Sequence, residues 1–394
     1  MPIMARTITP ILLIIVLISA YFGTGCNISR TASPEPPSVP DEIDLVTEAW
    51  RIVFEDFVEK SDLDPKKLSR GAIEGLLEAL GDPYSTYIDL EQYIFTQSYF
   101  EGVYSGIGAL VTLQDGQFMV VSPITGAPAE RAGIISGDVI LEINGEPTKD
   151  MNYTDAVLKI RGELGTQVVL RVVHPGEEAP VDIVITREEI KTSSVSAEML
   201  PDNIALINIT HFSTQTASDL VYELEGIFTN EVTGIILDLR NNPGGALDAA
   251  VSVTSQFLKS GLVLFSIYGD GEKETWEVKD GGIALDMPLV VMVNGDSASS
   301  SEVVAGALQD HKRAELVGTR TLGKGSVNHI RELSDGSAIY ITIARWYTPN
   351  GRLIEGLGLT PDYVVELTAE DIENGDDPQL ERAIEVIEYL RNQM

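Results

Sequence analysis

Between residues 190 and 368 short apolar strands alternate with helical stretches, a pattern that a layered α/β core accommodates. Leu289–Val293 is apolar at every position and reads as a buried strand. Further strands are expected at Ile204–Ile209 and 234–239, with helices at 217–228 and 246–258. Two strand ends carry unusual turns. Asn241-Asn242-Pro243-Gly244-Gly245 follows the strand at 234–239, and Ser297-Ala298-Ser299-Ser300-Ser301-Glu302 follows Leu289–Val293.

The 394 residues leave room for two or three domains. After Arg6, residues 11–22 are apolar except for Ser19. That length fits the core of an export signal, whereas a membrane-spanning helix needs about 20 residues. Gly23, Thr24 and Gly25 then lead to Cys26, the single cysteine. Residues 1–26 resemble a bacterial lipoprotein signal in which Cys26 is lipidated and becomes the mature N-terminus. Gly23 departs from the aliphatic residue usual there. The alternative is a plain secretory signal, or an uncleaved anchor, with an incidental cysteine. Residues 27–40 carry four prolines and read as an extended tether.

Residues 41–99 are expected to be helical. Ile43, Val46, Trp50, Val53, Phe54 and Phe57 recur on one face, and a second helix at 68–80 stops at Gly81-Asp82-Pro83. A structural or dimerising role is expected there. Residues 100–189 switch to strand period. The turn at Gly106, Ile107, Gly108 and Ala109, together with residues 129–146 (AERAGIISGDVILEINGE), resembles a PDZ domain. Those four residues are the expected peptide-binding site, because a Gly-rich turn beside a strand edge can receive a peptide's terminal carboxylate. Residues 369–394 are acidic and then helical from about Pro378, with no chemistry assigned.

Charge and composition narrow the chemistry. Lys and Arg number 27 against 60 Asp and Glu, a net charge of −33. Such a surface repels a phosphate backbone, so nucleic acid is excluded as a general partner. One cysteine and four scattered histidines (His174, His211, His311, His329) give no metal-ligand spacing. Neither a metal nor another cofactor is expected. Chemistry falls to Ser, Lys, carboxylates and backbone amides.

Gly318–Gly325 (GTRTLGKG) nearly spells a phosphate-binding loop, but Gly325 stands where a hydroxyl is needed. Strand patterns follow it where a helix should open. Ser299 and Glu302 fit a helix capping box. The next elements allow a second reading. A helix over Ser300–Asp310 runs about 16 Å, and the strand at 314–318 returns about as far. Lys324 is thereby carried back toward Ser299. A neutral, desolvated lysine can take a seryl proton, and the Asn-Pro-Gly-Gly turn can supply oxyanion donors.

Residues 41–368 resemble the carboxyl-terminal processing peptidases, or tail-specific proteases. The matching stretches are GAIEGLLEALGDPYSTYI, GVYSGIGALV, LDLRNNPGGALDAAV, VNGDSASSSEVVAGALQDHKRAELVGTRTLGKGSV and ARWYTPNGRLIEGLGLTPD. The resemblance implies Ser299 as nucleophile, Lys324 as general base, and an oxyanion hole from the N–H groups of Gly245 and Ser300. The family's third catalytic residue is usually Gln, four positions after the lysine. Asn328 stands there, its carbonyl oxygen placed to hold the lysine nitrogen. The implied fold is multidomain α/β: an N-terminal helical segment, a PDZ domain, a crotonase-like protease core and a C-terminal helix. The implied partners are protein and peptide C-termini, the membrane through a lipid anchor, and further copies of the chain as a homodimer or larger oligomer. A non-catalytic PDZ scaffold on a degenerate protease core is the alternative.

Overall fold

Leu289–Val293 runs through the interior of a six-stranded sheet in the computed structural model, which describes residues 42–393 except 115, 178, 192 and 230. The expected export signal, Cys26 and the expected tether lie outside the described residues. The strand order is Val195–Met199, Ile204–Ile209, Gly234–Asp238, Leu289–Val293, Glu315–Gly318 and Tyr363–Val364. The first pair is antiparallel and the rest are parallel. Every residue of Gly234–Asp238 and Leu289–Val293 is buried. Side chains alternate between the faces of a strand. Ile235, Leu237, Val291 and Val293 therefore join a core with helices Thr216–Ile227, Leu247–Thr254 and Ser300–Asp310. Ile236, Val290 and Met292 meet Ala383, Val386 and Ile387 on the other face.

Those last residues belong to the helix Pro378–Arg391, which covers the far face as a third layer. Asp377 caps it through Leu380 N, and Pro378 occupies its first turn. The sequence reading gave this segment no chemistry, and the structure shows it closing that face of the six-stranded sheet.

A second sheet is antiparallel and built around Ala338–Tyr347, with Ser326–Glu332 along one edge and Leu262–Tyr268 along the other. Thr86–Ile88 extends that second edge, pairing Thr86 with Tyr340. Residues 41–99 are thus not helical throughout, since a three-residue strand leaves them and joins the core. Their helices are Glu42–Asp56, Pro65–Glu78 and Leu90–Glu101. The second begins three residues before the expected Leu68, because Asp64 caps Lys66 and Lys67 and Pro65 fits the first turn.

Residues 107–186 fold around a separate core that includes Ile107, Phe118, Val120, Ile140, Leu170 and Ile185. Its five main strands run in the order Ala109–Gln114, Gln117–Pro123, Val139–Ile143, Gln167–Val173 and Val181–Thr186. The entering and leaving segments, Val103–Gly106 and Glu188–Lys191, pair as a two-stranded ribbon that closes the base of this unit.

Candidate active site

Ser299 sits between the strand Leu289–Val293 and the helix Ser300–Asp310, with φ 57° and ψ −115°. A positive φ is costly for a residue with a Cβ, and such strain persists only where neighbours impose it. Ser299 and Glu302 stand in the expected capping-box pairing, but only one of its two contacts is a full hydrogen bond. Glu302 Oε2 accepts the Ser299 N–H at 2.9 Å, while Ser299 Oγ is buried and accepts or donates nothing. The serine hydroxyl therefore does not serve as the helix cap and is left available for chemistry.

Glu302 does much more than cap a helix. Its side chain is fully buried. Oε1 accepts from Thr321 Oγ1 at 2.5 Å and Gly323 N at 2.8 Å, and Oε2 accepts from Lys324 N at 2.9 Å as well as from Ser299 N. One carboxylate oxygen thus joins the backbones of Ser299 and Lys324, whose nitrogens lie no farther apart than twice 2.9 Å. Burial pushes the Glu302 carboxyl up, although four donors oppose this. Since all four hydrogen bonds are accepted, the charged form is the one that fits. The Lys324 carbonyl is further pinned by Trp346 Nε1 at 3.1 Å, and Leu322 N reaches Ser297 O at 3.1 Å.

Lys324 is 4% exposed, and burial pulls its pKa down to about 8 against the opposing charges of Glu355, Glu302 and Asp82. Its Nζ lies 5.4 Å from the centre of the Tyr84 ring. The fold therefore brings the two residues of the expected dyad into one dry site.

The Asn-Asn-Pro-Gly-Gly turn is stitched to the serine turn. Ala298 N and Ser301 Oγ both donate to Asn242 O, at 3.0 and 2.7 Å, and Ser300 Oγ donates to Gly245 O at 2.9 Å. A Cβ on Gly244 would lie 2.7 Å from Ser299 Cβ, and one on Gly245 would lie 2.0 Å from Phe212 O. Only glycines allow this approach. Among the described residues neither Gly245 N–H nor Ser300 N–H is spent on a hydrogen bond.

Asn328 is buried beside this site, opposite Thr342 across a bulge. Its Nδ2 donates to Thr342 Oγ1 at 2.9 Å and Tyr84 O at 3.1 Å, whereas Oδ1 accepts nothing. The expected hydrogen bond from Lys324 to that oxygen is not made in this arrangement. His329, which follows it, is half-buried. Sequence reasoning missed Tyr84 and the wider role of Glu302. The Gly-Asp-Pro-Tyr-Ser turn served there only as a helix breaker, although its polar residues within a recognised stretch were the available signal.

Comparison with known proteins gives the family and the fold. The sequence model of peptidase family S41 matches residues 203–365, that of the PDZ domain 119–173, and that of the "Activating protease CtpB N-terminal domain" 26–92. The carboxy-terminal processing protease CtpA of Bacillus subtilis is 37% identical over 364 residues, spanning 90% of this chain and 77% of that one. The chain belongs to the carboxy-terminal processing proteases of peptidase family S41. The corresponding protease of Bartonella bacilliformis is 39% identical over 323 residues, covering 80% of this chain and 74% of its own. The solved structure of the "Putative S41 protease" from Bacteroides fragilis shares the fold. It has a TM-score of 0.53 at 17% identity and covers 90% of this chain and 99% of that one. This carboxy-terminal processing protease is accordingly a serine-type peptidase that acts on C-terminal regions of proteins.

In its PDZ domain, Ala109–Gln114 is an edge strand that among the described residues pairs only with Gln117–Pro123. Tyr153 Oη reaches across to Val111 O at 3.3 Å. Ile107 is buried, and neither its N–H nor that of Gly108 is spent on a hydrogen bond among the described residues. Arg161 lies beside Gly106, its guanidinium 4.2 Å from the Tyr104 ring centre and 4.6 Å from that of Phe95. The sequence reading did not single out this cation. It borders a cavity of about 590 Å³ that Ser105, Leu158 and Phe95 also line.

Proposed function

We propose that this carboxy-terminal processing protease is an exported endopeptidase that holds a free C-terminal tail on its PDZ domain and cleaves near it with a Ser299–Lys324 dyad. The observation that carries the reading is the shared Glu302 oxygen, which ties a strained, unpaired serine to a buried lysine drawn down to about 8. Neutral Lys324 takes the proton of Ser299 Oγ as that oxygen attacks the peptide carbonyl. The Gly245 and Ser300 N–H groups receive the oxyanion. Lys324 returns the proton to the leaving amine, and water then hydrolyses the seryl ester by the same route. Substrate access requires movement, because Ser299 is only 1% exposed in this arrangement.

For tail capture, the N–H groups of Ile107, Gly108 and Ala109 and the edge of Ala109–Gln114 are the receiving elements. Arg161 supplies a local positive charge in an otherwise acidic chain. A peptide ending in a free carboxylate should be cleaved at least ~10-fold faster than its C-terminal amide, since charge-assisted hydrogen bonds are lost in the amide. Both cleavages should vanish in Ser299→Ala. Equal rates for acid and amide would remove the PDZ assignment, and cleavage by Ser299→Ala would remove the nucleophile.

Export rests on the apolar run at 11–22 ahead of Cys26. A diacylglyceryl group on that cysteine would hold the enzyme at the membrane, where a single acyl chain gives marginal attachment. Cys26→Ser should move the enzyme from the membrane to the soluble fraction. An unchanged distribution would discard the lipid anchor.

A further inference from the structure

We propose that Asp82 is a positioning residue for the reaction, acting through Thr342 to fix which way the Asn328 amide faces. The inference rests on the Ser299–Lys324 reading. Asp82 Oδ2 accepts from Ser85 Oγ at 2.6 Å and from Thr342 Oγ1 at 2.5 Å, and Arg345 lies 3.7 Å from Oδ1. Burial alone would raise this carboxyl, but Ser85, Thr342, the Tyr84 amide and Arg345 together hold it below the usual range. It is therefore ionised at neutral pH and can only accept.

That fixes the rest of the chain. The Thr342 hydroxyl proton points at Asp82, so Thr342 Oγ1 can only accept from Asn328, at 2.9 Å. The second neighbour of the amide, Tyr84 O at 3.1 Å, is a carbonyl and also only accepts. Both demands are met when the NH₂ end of Asn328 faces them, which turns Oδ1 away. Buried polar atoms rarely go without a partner, and Oδ1 is such an atom. Tyr84 touches both sides, its carbonyl on Asn328 and its ring under the Lys324 Nζ. The structure assigns Oδ1 the role of receiving an N–H of Lys324 when the site opens to substrate.

The shorter asparagine is thereby held in one orientation by the turn at 82–85. The same turn anchors Thr342 a second time, through Thr342 N to Ser85 Oγ at 3.1 Å. The Gly-Asp-Pro-Tyr-Ser turn is then part of the catalytic wall, supplied by the N-terminal segment.

The test uses the full-length enzyme. Thr342→Val keeps the shape of the side chain but breaks the relay. It should lower kcat by ~10- to 100-fold, the range expected for misplacement of a catalytic group by about 1 Å. KM should stay within ~2-fold, and fluorophosphonate labelling of Ser299 should slow to the same extent as kcat. Thr342→Ser should restore the rate. In an Asn328→Ala background Thr342→Val should have no further effect, because the two changes act through one group. Asp82→Ala should match Thr342→Val and likewise add nothing there. If Asp82→Ala does not fold, the threonine pair alone decides. Wild-type kcat in Thr342→Val, or an equal loss in the Asn328→Ala background, overturns the inference. Cleavage by Lys324→Ala would instead overturn the dyad. A dead Lys324→Ala beside a fully active Thr342→Val would sink the positioning role alone.

Discussion

Lys324→Ala should lower kcat by at least ~10⁴-fold, as loss of the base does in other serine hydrolases, while the protein stays folded. The reason is geometric and electrostatic together. Lys324 shares the Glu302 oxygen with Ser299 through the backbone, and burial brings its pKa to about 8. As base it must be neutral. The wild-type rate should therefore fall about tenfold per pH unit below 8 and level off above it. A rate independent of pH between 6 and 9 would refute the assignment.

The same lysine should cost stability. Its folded pKa near 8 lies below the ~10.4 of an unfolded chain, so the unfolded state binds the proton more tightly. The penalty is complete below pH 8, shrinks between 8 and 10.4, and is gone above. Lys324→Met should accordingly melt higher than wild type at pH 7, with the gain fading toward pH 10.5. Activity and stability are opposed at this position, as at many sites built on a desolvated charge.

Local patterns carried much of this molecule into the sequence reading. Leu289–Val293 is apolar throughout because both its faces are covered. The strands Ser326–Glu332 and Ala338–Tyr347 announce themselves by composition, which together with Gly325 dismissed a phosphate loop at Lys324. What escaped depends on long-range contact. The Asn328–Tyr84 hydrogen bond joins residues 244 positions apart, and no periodicity encodes it. Thr86–Ile88 is too short to show a strand pattern and forms because Ala338–Tyr347 offers it an edge. The helix Pro378–Arg391 was legible as a helix, but its role needs the apolar face of a sheet that the chain completes far upstream. At Glu302 the local rule accounted for only part of the arrangement. A capping-box spacing was present, yet the serine hydroxyl stays unpaired and the carboxylate bonds residues 19 to 22 positions later.

Glu302→Gln tests that last point most directly, because it changes almost no volume. Both carboxylate oxygens are saturated as acceptors, Oε1 by Thr321 and Gly323 and Oε2 by Ser299 and Lys324. An amide presents one oxygen and one NH₂ group. Whichever way it turns, its NH₂ meets two donors in a fully buried site. Leaving buried donors unmatched costs ~1–3 kcal/mol each. In a core of this size ~2 kcal/mol lowers the melting temperature by about 4–8 °C. If the NH₂ faces Ser299 and Lys324, the two catalytic backbones are pushed apart. If it faces Thr321 and Gly323, the lysine loop moves instead. Displacement of about 1 Å is enough for a ~100-fold loss in rate, and either orientation produces it. Ser299→Ala supplies the contrast. It should abolish cleavage without lowering stability, since its hydroxyl has no partner to lose. A Glu302→Gln enzyme with wild-type kcat and melting temperature would show that the shared carboxylate does not hold the dyad together.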